Sequence, residues 1–411
     1  MKKRLSTWIV NHYASTPDTG MGGRSYYFAR ELNRVGIPVT LICASFNHKL
    51  RTPKKLFKPV EFDNSNGFCV ARVKVASYRD SFNKIRILNW FLFSLRFLNN
   101  FHLIKDKPKI IICSSPSLIA FLATWLVAKK YRAKLIFEFR DIWPLTLQKL
   151  GGFSRVNPLI LALELVERFA YQSADLIVSN LSHAMAHVSK RGGGVKKFIW
   201  IPNGFDPDSY SEDRELPVLV ESSLPKDGFI VGYTGALGTA NALEFLITSA
   251  SFLEAQGVKF VLVGQGRERN NLEKLASSLN LKNITFIDSV EKKYIPILLK
   301  KFDVCYQGCR NDPLYNFGVS PNKMADYLLS DRPILHSFSG KGDLVKISGS
   351  GITVPAEDSD QIAQAILQLK NISSFDREEM GRRGREFAEK NLSFRVLALE
   401  YQKCLMKLLD S

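Results

Sequence analysis

The chain has 411 residues, 45% of them apolar and 23% charged, which is the make-up of a soluble globular protein of two or three domains. No run reaches the ~18 apolar residues of a membrane span, so no membrane-crossing helix is expected. The formal net charge is +18, yet residues 1–204 carry 32 Lys and Arg against 11 Asp and Glu, while residues 205–411 carry 25 against 28. The whole excess lies in the first half, so that half asks for an anionic partner: a membrane surface, a nucleic acid or a phosphorylated substrate.

The first predicted element is a buried strand over Leu5–Val10. The apolar core of "MKKRLSTWIVNHYAS" is too short for a signal peptide, so a cytoplasmic location is expected. A Gly-rich loop follows, then a helix over Ser25–Val35 and a strand in "IPVTLICAS". Strand, loop, helix and strand make a βαβ unit, and such units build parallel sheets. Gly22, Gly23 and Arg24 stand where that loop enters its helix. They either present backbone N–H groups to a phosphate or sugar, or form a mobile connection.

Residues 48–84 are basic and irregular, with strand pieces near Cys69–Val75. The next stretch, 82–104, runs from Phe82 and crowds aromatic and aliphatic residues on a helix with Lys84, Arg86, Trp90 and Arg96 among them. Such a helix lies in a membrane interface or packs as core. Together with the basic excess it raises the expectation of a protein peripheral on the inner face of the plasma membrane. Then come the strand "PKIIICSSP", the helix "SLIAFLATWLVAKKY" and the strand "AKLIFEFRDIWP". Arg140 and Asp141 follow that strand's C-terminal end, the edge at which open α/β sheets bind ligands. His183 and His187 share a helical face, but no third ligand accompanies them, so they read as surface histidines and no metal is expected. Six scattered cysteines, Cys43, Cys69, Cys113, Cys305, Cys309 and Cys404, read as buried thiols.

The turn Asn203-Gly204 marks a domain boundary, giving domains over 1–204 and 205–392, with a last helix, 393–411, packing back on the first. The second half repeats the rhythm: "FIVGYTGALG", a helix near 242–255, "KFVLVGQG", a helix, "ITFID", a helix and "DVCYQG". Two doubly wound α/β domains are therefore expected. Tyr315–Pro333 reads as a tight loop, one short helix and a turn, with Pro321 at the helix start. Lys323 beside free N–H groups suits a diphosphate, and Asp326 one turn on suits sugar hydroxyls.

"RDIWP" at 140–144, "IPNGFD" at 201–206, "YTGALG" at 233–238, "VGQGRER" at 263–269 and "GVSPNKMADY" at 318–327 come in one order along the chain. With Gly22-Gly23 they make the chain resemble a GT-B glycosyltransferase of glycosyltransferase family 4, most similar to bacterial O-antigen and capsule enzymes of the fucosamine-transferase-like kind. That resemblance implies two Rossmann-like domains facing across a cleft, and retaining transfer from a UDP-sugar to a polyprenyl-diphosphate-linked saccharide. It implies no cofactor and no metal. Gly235, Gly238 and Gly264 would line the donor pocket, Ser289 and Val290 would meet the base, and Asp326 would hold the ribose. Phe317, Gly318, Val319, Ser320 and Asn322 would face the donor sugar, with Gly318 at the position where the family carries an acidic residue. Lys323 would supply the charge at the leaving diphosphate, with Arg267 the second candidate. Arg140 would serve the acceptor, and Asp141 would orient or deprotonate its hydroxyl, or be structural. Two rival readings remain, a nonhydrolysing nucleotide-sugar epimerase and a basic nucleic-acid binder. The second has no recognised motif here, so no nucleic acid is expected.

Overall fold

The computed structural model describes residues 5–79, 84–149, 151–194, 197–210 and 214–410. The chain divides into two compact units, Met1–Pro202 with Phe394–Ser411, and Asn203–Ser393.

The first unit is built on strands β1 (Thr7–Val10), β2 (Val39–Ala44), β3 (Val60–Asp63), β4 (Cys69–Val73), β5 (Ile110–Ser114), β6 (Lys134–Phe139), β7 (Leu176–Ser179) and β8 (Phe198–Trp200). They lie in the order β3-β4-β2-β1-β5-β6-β7-β8, all parallel except the β3–β4 pair. Central strands such as "IIICS" are buried along their whole length, as parallel strands covered on both faces must be. The helices are α1 (Arg24–Arg34), α2 (Ile85–Asn100), α3 (Ile119–Tyr131), α4 (Leu145–Lys149), α5 (Pro158–Ser173) and α6 (Met185–Lys190). Right-handed crossovers that step in opposite directions along a sheet fall on opposite faces. Thus α1 covers one face, while α2, α3 and α5 cover the other.

Two strand residues mark this division. Ile9 joins the apolar cluster of α1, whereas Trp8 meets Phe97 of α2 and Tyr131 of α3, with ring centres 6.4 and 5.7 Å away. The last helix of the chain packs on the α1 face, where Phe28 of α1 meets Phe394 and Tyr401 edge-on at 5.4 and 5.3 Å.

The second unit holds β9 (Phe229–Thr234), β10 (Val258–Val263), β11 (Ile284–Ile287), β12 (Val304–Gly308), β13 (Ile334–Ser337) and β14 (Gly351–Val354). Their order is β11-β10-β9-β12-β13-β14, wholly parallel. Its helices are α7 (Val218–Ser223), α8 (Leu243–Ser251), α9 (Arg269–Ser278), α10 (Ile295–Leu299), α11 (Asn322–Leu328), α12 (Leu344–Ser348), α13 (Ser359–Asn371) and α14 (Ser374–Asn391), and the last helix of the chain is α15 (Phe394–Asp410). One apolar cluster joins α8, α9 and α13 to the sheet, and another joins α10, α11 and α12 to its opposite face.

Two sequence expectations need correction. His187 is not a surface residue: it is buried, its Nε2 2.7 Å from Oε1 of buried Glu167. On α2, Trp90 is buried, and Arg96 turns inward to donate to the Lys74 carbonyl at 2.6 Å. Phe82 lies outside the described residues.

Candidate active site

The strand ends of the second unit bring four loops together. After β9 the chain turns at Gly235 (φ 140°), and after β10 at Gly264 (φ 154°). A Cβ on Gly264 would stand 1.8 Å from the Gly235 carbonyl oxygen, so the two loops can touch only through bare backbone. The third contributor, α11, is anchored on β9 by the Tyr327 hydroxyl, which accepts from the Thr234 N–H at 2.9 Å. Lys323, one turn earlier on the same helical face, is thereby laid over the Gly235 loop. Its Nζ donates to the Tyr233 hydroxyl at 2.6 Å and to Asn241 Oδ1 at 3.2 Å, and lies 4.0 Å from the Tyr233 ring centre. Burial pulls this ammonium down to about 7, with Cys309 opposing. Its two hydrogen-bond partners are uncharged, so neither offsets the charge of the ammonium.

The loop into α11 is held from outside. Asn203 donates its backbone N–H to Ser320 Oγ (3.0 Å) and its side-chain amide to the Ser320 carbonyl (2.8 Å) and Asn322 Oδ1 (3.1 Å). Gly318, in this loop, has φ 99°. An acidic side chain there would be strained, which gives the departure at this position a backbone cause. Phe317, Val319 and Ser320 are partly buried beside it, and Asn322 is exposed.

Asp326, on the next turn of α11, is buried and accepts from Lys292 Nζ. Burial raises its carboxyl and Lys292 opposes that. Lys292 follows Ser289 and Val290 in the connection after β11, so the fourth loop is tied to α11 through this ion pair. Arg267 is largely exposed and reaches Thr239 Oγ1 at 2.9 Å, and Gly238 borders open space.

At the strand ends of the first unit a separate cluster gathers around Tyr13, just past β1. Its hydroxyl accepts from Trp90 Nε1 at 2.8 Å and Arg86 Nε at 3.0 Å. The Arg86 guanidinium lies 5.6 to 5.9 Å from the ring centres of Tyr13, Trp90 and Trp143. His12 is buried, and neither ring nitrogen meets a partner. Burial, then Arg86 and His48, pull it down to about 3, so it is neutral at physiological pH. Arg140 has a buried Nε that meets no acceptor, and burial lowers its guanidinium against Glu138 and Asp141. The Lys49 ammonium is lowered by loss of surrounding water, then by Arg140, with Asp141 pulling the other way and Arg86 adding to the fall. These three cations therefore share one edge with the exposed carboxylate of Asp141.

Residues 19–204 match the family described as glycosyl transferase 4-like domain, and residues 228–371 the family described as glycosyl transferases group 1. The chain carries the two domains of a GT-B glycosyltransferase. Over 206 residues, 48% of this chain, it is 28% identical to the putative colanic acid biosynthesis glycosyl transferase WcaI of Escherichia coli (strain K12). That match spans about half of WcaI's length. The fold is that of sucrose-phosphate synthase from Thermosynechococcus elongatus (TM-score 0.75, 16% identity, 99% of this chain and 100% of that one). It is also that of Anabaena HepE solved in complex with UDP and glucose (TM-score 0.68, 15% identity, 98% and 99%).

Of the glycosyltransferase residues expected from sequence, Gly235, Gly264 and Lys323 stand together, and Asp326 is tied to the Ser289–Val290 connection. Arg140 joins Lys49 and Arg86 at the other edge. Arg24 does not join them. Its guanidinium is buried between Glu138 Oε2 at 3.1 Å and the carbonyls of Ile201 and Pro202 at 2.9 and 2.5 Å. Gly22 and Gly23 lead into that anchored helix start, Gly22 accepting from Ser15 Oγ at 2.7 Å. Arg24 is therefore corrected from a phosphate contact to a brace between α1, β6 and the chain after β8. Tyr233, Asn203, Lys292, His12 and Lys49 were missed as site residues, and only Tyr233, inside "YTGALG", lay in a motif that pointed at the donor loop.

Proposed function

We propose that this glycosyltransferase moves a sugar, an N-acetylhexosamine derivative, from a UDP-sugar to a saccharide on polyprenyl diphosphate, with retention, in surface-polysaccharide assembly. The observation that carries the reading is the Lys323 ammonium held on the Gly235 loop by neutral partners. As the glycosidic bond to the leaving nucleotide breaks, negative charge grows on the diphosphate, and a preplaced cation stabilises it most when that charge is greatest. Bare backbone at Gly235 and Gly264 lets the diphosphate approach. Asp326 accepts from ribose hydroxyls once Lys292 yields its place. Colanic acid in the name of WcaI and UDP in the HepE complex support the product class and the donor.

In the first unit, Arg86, Arg140 and Lys49 hold the acceptor's phosphates, and Asp141 orients or deprotonates its hydroxyl. Same-face attack, assisted by the leaving phosphate, gives retention without a carboxylate nucleophile. The test is a panel of UDP-sugars scored for UDP release with and without a polyprenyl-diphosphate saccharide. Release that depends on the acceptor supports transfer; interconversion of the UDP-sugar without release would make the enzyme an epimerase.

Two variants separate the halves of this scheme. Asp326→Asn is expected to weaken UDP binding about tenfold or more, the loss of charged hydrogen bonds, as read by calorimetry. Unchanged affinity would remove Asp326 from the ribose site. Arg140→Gln is expected to raise the acceptor KM about tenfold while leaving UDP affinity alone; a fall in UDP affinity instead would place Arg140 on the donor.

A further inference from the structure

The face of the first unit covered by α2, α3 and α5 has an inner and an outer side. On α2, Trp90, Phe93 and Phe97 are buried, while Leu88, Phe91 and Leu95 point away from the sheet. On α3 the outward positions one turn apart are Leu122 and Leu126, and on α5 they are Leu161 and Leu165. These large apolar side chains are 38–69% exposed, on three helices that pack side by side. Singly exposed leucines are ordinary; a patch spanning three neighbouring helices marks an interaction surface.

The charges around the patch say what covers it. Helices α2 and α3 contain no acidic residue. The two acids of α5, Glu164 and Glu167, are both ion-paired to Arg191, and Glu167 Oε1 also lies 2.7 Å from His187 Nε2. Cations stand around the patch instead: exposed Lys84 before α2, Lys129 and Lys130 at the end of α3, and Arg168 within α5. At the end of α3, Lys129, Arg132 and Lys134 line a pocket of about 330 Å³ with Trp125, and Asp175 is the one carboxylate on its wall. Lys129 lies 5.9 Å from the Trp125 ring centre. An apolar patch with a basic rim fits an interface between acyl chains and anionic headgroups.

We propose that this outer face of α2, α3 and α5 docks the enzyme on an anionic lipid bilayer. The contact residues are those outward leucines and Phe91, with Lys129 and Lys130 meeting headgroups. Of the helix residues first singled out in the sequence, Arg86, Trp90 and Arg96 point inward, and only Lys84 remains on the rim. The proposal deepens the reading of a lipid-linked acceptor, yet the surface is tested with no sugar substrate, so either can fail alone.

The experiment is flotation of the full-length protein with phosphatidylcholine vesicles, with and without phosphatidylglycerol, at low and high salt. Wild-type protein should float with the anionic vesicles, less at high salt. The variant Leu122→Gln/Leu126→Gln/Leu165→Gln should bind at least tenfold more weakly with unchanged thermal unfolding and unchanged UDP affinity. Lys129→Gln/Lys130→Gln should lose about fivefold per cation on anionic vesicles only. Wild-type protein that stays unbound, or a leucine variant that floats as well as wild type, would overturn the assignment. So would a lipid-free dimer that the leucine variant dissolves, because the patch would then belong to a second copy.

Discussion

Replacing Lys323 with Met is expected to lower the transfer rate by about 10²–10³-fold, the scale of losing one preplaced donor at a developing anion. The substitution keeps the length of the side chain and its packing on the Tyr233 ring, so thermal unfolding should stay near that of the wild type. The loss should fall mainly on kcat, because the diphosphate carries its greatest charge as it leaves. UDP binding should weaken as well, with a pH signature. Burial holds the free ammonium at about 7, and a bound diphosphate raises that value. Between the two values, binding takes up a proton. Affinity is therefore greatest below pH 7 and weakens as pH rises above it, approaching tenfold per pH unit. Lys323→Met should abolish this slope. A variant that keeps the slope and the rate would mean that another group meets the diphosphate.

The second large effect is on stability. Arg24→Met removes the cation beside Glu138 and three hydrogen bonds in a buried site. Breaking a buried pair by deleting one partner costs about 3–5 kcal/mol, which should lower the melting temperature by on the order of 10 °C. Glu138 also accepts from Ser114 Oγ at 2.8 Å, a bond too weak to replace the missing charge. The double variant Arg24→Met/Glu138→Gln should recover part of the loss. Folded Arg24→Met protein should keep its acceptor KM at low temperature. A raised KM with an unchanged melting temperature would return Arg24 to phosphate binding.

The sequence carried the two sheets well, because parallel strands covered on both faces read as unbroken apolar runs such as "IIICS" and "LIVS". It also placed Lys323 at the start of a helix, since Ser320-Pro321 breaks the chain just before a segment with one apolar face. The orientation of α2 was not legible. Trp90, Phe93 and Phe97 form one stripe and Leu88, Phe91 and Leu95 another, both apolar, so periodicity could not say which met the sheet. Only the position of α2 against β1, β3 and β4 decides it, through contacts such as that of Trp8 with Phe97.

The partners of the site residues were hidden for a different reason. Lys323 and Tyr233 are 90 residues apart, Asn203 and Ser320 117, and Arg86 and Tyr13 73. No local pattern encodes such pairs; the order of strands in each sheet does, by bringing their C-terminal ends to one edge. Arg24 shows the converse. An arginine after two glycines at a helix start has the local form of a phosphate loop, and it is the carboxylate of Glu138, 114 residues away, that claims it.

The most direct test of the central claim is the crystal structure of the enzyme with UDP. The expected result is a diphosphate oxygen within about 2.7–3.1 Å of Lys323 Nζ, lying against the backbone of Gly235 and Gly264, with the ribose at Asp326 and Lys292 moved aside. UDP bound away from the ends of β9 and β10, with Lys323 still on Tyr233 and Asn241, would contradict it.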